Sequence, residues 1–598
     1  MNCPSRVDPL LDDGYNQNPP ALNADATTRA DMEHMANARL RRDHRIDPLD
    51  PTQAEIETGK RPTTEGEGPR IRLTVVNHKR NTPGSEEHDA GCLAAPNADQ
   101  GGNDRGMIRS WSRCIHGYYR STVQVLVKYC KFIGPGFMVA VAYIDPGNYA
   151  TDVSAGASFR FKLLFIVLMS NIFAIFLQSL CIKLGSVTGM NLAENCKAHL
   201  PPWLNYVLYF FAESAIIATD IAEVIGTAIA LNVLLHIPLV AGCAISIVDV
   251  LIILVFYRPS GTMRALRAFE FFVMVLVLGV VICFCFELSQ IKGTSVGEVF
   301  HGYVPSSTLI QSQALFQACG ILGATVMPHS LYLGSGIVQA RLRDFDRQAE
   351  TAAGTASTAE ASETDSIDAD LVKYKPSLAA IESCMTYSIV ELAISLFTFA
   401  LFVNSAILIV AGASLYGRDD ARDADLFTIH SLLSSTLAPA AGTIFALALL
   451  LSGTSAGIVC TIAGQMVSEG QLNWTLKPWV RRLITRSISI TPSIIIAGAV
   501  GREGLGKALE GSQVALSVIL PFTSAPLIWF TCRSQYMKVA TADAVGDSDG
   551  AGEGDVAQGH VQMRNHWITS TFAVLIWGVI VVMNVALLVL VGLGVSGA

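Results

Sequence analysis

Between residues 131 and 594 the chain is a succession of apolar runs, each near the length that crosses a bilayer as a helix. They fall near 131–153, 161–184, 205–232, 238–257, 268–288, 312–338, 380–412, 430–453, 486–500, 512–532 and 567–594. A hydrocarbon core about 30 Å thick takes about 20 apolar residues at a helical rise of 1.5 Å. Inside hydrocarbon every backbone N–H and C=O needs an internal partner, which leaves helices and closed barrels. Runs this long predict an all-α polytopic membrane protein with about eleven transmembrane helices. The composition agrees: 15% of residues are charged, against about 25% in soluble domains. A net charge of −8 gives no reason to expect nucleic acid as a partner. No nucleophile–base pair or cofactor loop marks an enzyme.

The apolar region has polar surroundings. Residues 1–125 mix Pro, Gly, Asn, Asp and Arg without helical periodicity and read as a disordered tail. The tail has no apolar stretch of the kind that makes a secretory signal. Residues 126–535 read as the transmembrane core, with a low-complexity insertion at 348–370; 536–566 read as a flexible loop around a second insertion, 540–562; and 567–598 hold the last helix. The thirteen cysteines show no CxxC or paired zinc spacing and read as small buried hydrophobes. Roughly sixteen Lys and Arg fall in one set of connections, Arg341 and Arg486 among them, and seven in the other. That asymmetry places the N-terminus in the cytoplasm. The sequon Asn473-Trp474-Thr475 then lies on the inner side and is expected to be unmodified.

Two spans are broken by proline. The first reads GPGFMVAVAYIDPGNYATD, with Pro146 and Gly147 between Asp145 and Asn148. Pro146 has no N–H, so the Ala142 carbonyl four residues back loses its helical partner. A cation can replace that bond, and Asp145, Asn148 and the Ala142 carbonyl then supply three oxygens at one break. The sixth span reads FQACGILGATVMPHSLYLGSGIVQAR, where Pro328 frees the Ala324 carbonyl and Met327 and His329 flank the break. A thioether is a poor hydrogen-bond acceptor but a soft metal ligand. Breaks in spans one and six predict a 5+5 inverted repeat with the substrate between them near the midplane. One carboxylate, one amide oxygen, two backbone carbonyls and one sulfur suit Mn²⁺, Fe²⁺ and softer ions such as Cd²⁺ over Mg²⁺ or Ca²⁺.

A second polar group lies on span three, in FFAESAIIATDIAEVIG. Glu213, Asp220 and Glu223, spaced seven and three, project near one helical face. Intramembrane acids are expensive unless they line a polar path, and such rows carry protons. Arg341, after span six, is the expected counter-charge. Glu270 and Glu391 read as interfacial, Asn404 as interhelical glue or a functional amide, and Gly453, Gly457 and Gly464 as close-packing positions.

These residues resemble the natural resistance-associated macrophage protein (NRAMP) family of proton-coupled divalent metal transporters, in its fungal form. AYIDPGNYATD is similar to the family's first-helix signature, GATVMPHSLYLGS to its sixth and ATDIAEVIGTAIAL to its third, within a likeness over roughly residues 130–535. The resemblance implies a LeuT-like fold working by alternating access. It implies metal held by Asp145, Asn148, Met327, Ala142 and Ala324, and protons moving through Asp145 or His329 and the acids Glu213, Asp220 and Glu223. There is then no resident cofactor: the metal is cargo and the proton is the coupling ion. The expected partners are divalent metal ions, protons and the lipid bilayer, with the protein a monomer in the plasma membrane or an endosomal or vacuolar membrane. Some positions depart from the family pattern. Ser330 and Gly334 stand where it has Asn and a second His, and Ser452-Gly453-Thr454-Ser455 where it has Ala-Gly-Gln-Ser. Ile519 stands where it has a Gln before Leu-Pro-Phe, which implies that a metal ligand from helix ten is missing. The alternatives are an organic-substrate symporter of the same fold and a metal sensor that transports little.

Overall fold

A computed structural model describes residues 134–246, 263–352, 374–418, 425–472, 478–540 and 559–594. The expected tail at 1–125, the sequon, residues 353–370 of the first insertion and 541–558 of the second lie outside them.

The first span is two helices, α1 (Pro135–Val141) and α2 (Pro146–Phe159). Helices α3 (Leu164–Thr188), α4 (Pro202–Leu235) and α5 (Met263–Ser289) follow. The sixth span is again two, α6 (Ser312–Thr325) and α7 (Pro328–Ala352). Then come α8 (Leu378–Ser395) and α9 (Leu401–Ser414), joined through a π-helical turn at Leu396–Ala400. Helices α10 (Pro439–Leu472), α11 (Pro478–Ala499), α12 (Arg502–Cys532) and α13 (Trp567–Gly592) complete the set. Among the described residues, eight helical stretches are long and apolar enough to cross a membrane. The fourth expected span is described only at its start, helical over 239–246.

The interruptions fall in the first and sixth spans, as the LeuT-like arrangement requires. The residues that stop α1 also start α2. Asp145 is the N-cap of α2: its Oδ1 accepts from the Asn148 N–H at 3.0 Å, and Pro146 occupies the first helical position. Both choices are favoured at helix N-termini, the carboxylate as acceptor and the proline because it has no N–H to leave orphaned. Pro328 plays the same part at the head of α7. Glycines let neighbouring helices close on the first break. A Cβ at Gly226 of α4 would fall on the Pro146 ring, and one at Gly147 on the Gln513 carboxamide of α12. Gly453 serves α10 against α4 in the expected way, since a Cβ there would meet Thr227.

Several boundaries differ from expectation. Helix α11 begins eight residues before the apolar run at 486–500, because Arg486 is enclosed within the helix rather than placed in a loop. Helix α7 runs four residues past 348. The ends of the loop 536–566 are paired strands, β1 (Lys538–Ala540) and β2 (His560–Gln562), antiparallel with Lys538 opposite Gln562.

Candidate functional site

At the first break the backbone leaves the helical ladder by stages. Tyr143 N–H donates to Ala140 O and Ile144 N–H to Val141 O, both three-residue bonds. This tight turn moves two further carbonyls out of the ladder besides Ala142. The Tyr143 carbonyl accepts from Asn148 Nδ2 at 3.2 Å and from Asn404 Nδ2 of α9 at 3.1 Å. The Ile144 carbonyl accepts from the Ser452 hydroxyl of α10 at 2.7 Å. Among the described residues no group donates to the Ala142 carbonyl.

Asp145 and Asn148 orient each other. Asp145 Oδ1 accepts from Asn148 Nδ2 at 2.7 Å as well as from its N–H. Asp145 Oδ1 and Asn148 Nδ2 are thereby committed to each other, and one oxygen on each side chain is left over. Asp145 Oδ2 and Asn148 Oδ1 are fully buried with no hydrogen-bond partner. Burying a polar group without a partner costs roughly 1–3 kcal/mol, more when it is charged. Two such oxygens at one helix break are acceptors of the kind a hard or borderline cation uses.

The second break faces the first. The Ser330 hydroxyl donates to Met327 O at 2.7 Å, so its one proton is used, and the Tyr143 hydroxyl at 2.9 Å must donate to it. Gln178 Nε2 of α3 donates to both hydroxyl oxygens at 2.9 Å. This three-residue tie joins the breaks directly. Met327 and Ala324 are fully buried there, and among the described residues nothing donates to Ala324 O.

Helix α12 also contributes. Gln513 is buried against Gly147, two residues past Asp145, and its Oε1 has no partner. The expectation that helix ten lacks a polar group at the break is therefore corrected. Ile519 packs with Ala215, Ala218 and Leu516 against α4, and the amide comes from six residues earlier. The signal was a glutamine inside an apolar run; which way it pointed depended on the rotation of α12.

The span-three acids divide. Thr219 Oγ1 lies 3.2 Å from His329 Nδ1, which ties α4 to α7 just past the second break. Asp220 and Glu223 are buried and pair with Arg486 of α11, Glu223 Oε2 at 3.4 Å. Cys460 of α10 lies beside them, with its sulfur and a carboxylate oxygen from each acid all within 4.8 Å of one another. Glu213 stands two turns back on α4, half-buried.

Arg341 is not the counter-charge of these acids. It pairs with Glu270 at 3.3 Å, and both are buried. Glu391, expected at an interface, is also buried. Its carboxylate accepts from the N–H groups of Gly134 at 3.1 Å and Gly136 at 2.8 Å, at the head of α1. A helix N-terminus carries orphan N–H groups and a partial positive charge, and a carboxylate satisfies both. The counter-charge of Asp220 and Glu223 is Arg486.

A membrane-embedded bundle with two interrupted helices meeting at an oxygen-and-sulfur pocket is the architecture of a cation carrier. The profile of the natural resistance-associated macrophage protein-like (Nramp) family matches residues 136–545, and the chain belongs to that family. It is 53% identical over 503 residues to the manganese transporter SMF1 of Saccharomyces cerevisiae, covering 78% of this chain and 87% of that one. It is 52% identical over 428 residues to the iron transporter SMF3 of the same yeast, covering 71% and 86%. Among solved structures it is similar to the manganese transporter of Eremococcus coleocola, with a TM-score of 0.60 and 28% identity over 76% of this chain and 86% of that one. The protein is a multi-pass integral membrane protein.

Proposed function

We propose that this protein carries divalent transition-metal ions, Mn²⁺ or Fe²⁺ and softer ions such as Cd²⁺, into the cytosol by alternating access coupled to protons. One observation carries the reading. Asp145 Oδ2 and Asn148 Oδ1 are buried, unpartnered and held in place by a mutual bond, across a hydrogen-bonded tie from the break that bears Met327. A doubly charged ion satisfies both oxygens, and the carbonyls of Ala142 and Ala324 complete an uncharged remainder. Met327 adds the sulfur that favours transition metals over Ca²⁺. Gln513 Oε1 is placed to join the shell. Relatives named for manganese and iron transport support the choice of ion.

Protons pass from Asp145 or His329 to Thr219 and the acids beyond it. The contact between Thr219 and His329 supports this route. Arg486 holds Asp220 and Glu223 as a charged unit, and Glu213 extends the row along the same helix. The Arg341–Glu270 pair lies at the head of α1 and acts on that helix rather than on the acids. The protein works as a monomer without a resident cofactor, with its N-terminus in the cytoplasm of a plasma, endosomal or vacuolar membrane.

Uptake of Mn²⁺ into proteoliposomes tests the reading. Wild-type protein accumulates the metal and Asp145→Ala does not; undiminished uptake by the variant would refute it. An organic-anion symporter would need free N–H groups at the head of α2, and Asp145 already takes that of Asn148. Removing residues 1–120 leaves uptake intact if transport, and not signalling through the tail, is the main role.

A further inference from the structure

An apolar groove of about 820 Å³, none of whose lining residues belongs to either helix break, opens between the start of α4, the second half of α12 and α13. Its walls include Leu204, Phe522, Trp529, Trp577, Val585 and Leu588. Two of the polar side chains on its walls bond within the protein. Trp577 Nε1 donates to Pro521 O at 2.9 Å, and Asn584 is engaged by Ser517 and by Ile580 O, each at 2.9 Å. The groove therefore offers apolar surface without a polar anchor along its length.

Its mouth is different. The guanidinium of Arg533, which ends α12, stacks 3.6 Å over the Trp529 ring. Tyr536 and His199 close the same end, their ring centroids 4.8 Å apart. Two residues beyond Tyr536 the strand pair begins, carrying exposed Lys538, with exposed Arg564 just past its second strand. The described residues 531–540 and 559–567 contain three Lys or Arg, two His and no acid. An apolar slot at membrane depth with a cationic rim complements a lipid whose tail is hydrocarbon and whose head is negative.

We propose that this groove is a binding site for an anionic diacyl phospholipid from the leaflet on the side of the β1–β2 strand pair. An acyl chain lies along Trp529 and Trp577, and the phosphate meets Arg533, with Lys538 and Arg564 behind it. Neutral phospholipids enter the same groove and leave it sooner.

Tryptophan quenching tests the site. Full-length protein is reconstituted in phosphatidylcholine containing a small fraction of either brominated phosphatidylserine or brominated phosphatidylcholine. Trp529→Phe and Trp577→Phe variants assign the signal. Brominated phosphatidylserine is expected to quench these two residues at lower mole fraction than brominated phosphatidylcholine. Each basic residue removed from the rim should lower that preference about fivefold, so Arg533→Gln reduces it and the variant also lacking Lys538 and Arg564 abolishes it. Equal quenching by the two lipids overturns the proposal, as does a preference that survives in the triple variant. Displacement of both lipids by a sterol at equal mole fraction also overturns it. Should the triple variant fail to reconstitute, Arg533→Gln alone decides, because the guanidinium sits directly on the groove wall.

Discussion

At the first break, three side chains from three places take up the carbonyls that leave the helix: Asn148 from within, Asn404 from α9 and Ser452 from α10. At the second, one hydroxyl from the break itself does so, Ser330 on Met327 O. The first is held rigidly and presents a carboxylate and an amide oxygen in a fixed pose. The second is tied through Ser330 to Tyr143 and Gln178 and through His329 to Thr219, and it presents a polarizable sulfur. The contrast separates two tasks that a cation pocket must perform. On the proposed reading, charge and oxygen come from the first break and discrimination among ions from the second. Groups that hydrogen-bond to a metal's ligands commonly change affinity 10–100-fold, and on the proposed reading most of them sit at the first break.

Substitutions can break that division or sharpen it. The largest effect belongs to Asp145→Ala, which removes the carboxylate at the first break and should reduce Mn²⁺ uptake in proteoliposomes to background. Next is Arg486→Ala, which leaves Asp220 and Glu223 buried without their cation. Removing one partner of a buried pair costs about 3–5 kcal/mol, so the melting temperature of the purified protein should fall steeply, and Asp220→Asn in the same chain should restore part of it. Gly147→Ala drives a methyl into the Gln513 amide; apparent Mn²⁺ affinity should weaken about 10–100-fold, and Gln513→Ala should relieve the clash without restoring full affinity. Met327→Ala should leave Mn²⁺ uptake measurable but let Ca²⁺ compete; unchanged competition would show the thioether to be packing alone. The smallest effect is that of Asn404→Ala, which deletes one of two bonds to the Tyr143 carbonyl and should cost about 1 kcal/mol of stability, read in the same melting assay.

Much of this could be read before any coordinates. The span lengths follow from bilayer thickness, and the breaks follow from the missing N–H of Pro146 and Pro328. Asp145 and Asn148 could be singled out because a carboxylate beside a broken turn has few other uses in hydrocarbon. What could not be read was which partner a long side chain reaches. Arg486 sat at the edge of a short apolar run and looked like a loop cation, yet α11 begins at Pro478 and encloses it. Arg341 looked available to the span-three acids, but its partner is Glu270 and theirs is Arg486. Gln513 and Gln178 were amides in apolar runs whose importance depends on helix rotation, which an isolated run does not fix. Glu391 lies one turn before the π-helical turn at Leu396–Ala400, and no linear pattern announces that it reaches the head of another helix 255 positions away.

That last contact has a mechanical consequence. The carboxylate of Glu391 closes the start of α1 as a plug closes a socket, and each side satisfies the other's hydrogen bonds. If α1 swings aside, the Glu391 carboxylate and the Gly134 and Gly136 N–H groups lose one another at once, with the Arg341–Glu270 pair beside them. The Arg341 guanidinium can take over the stranded carboxylate, while the two freed N–H groups need a new acceptor, which water entering with the movement supplies.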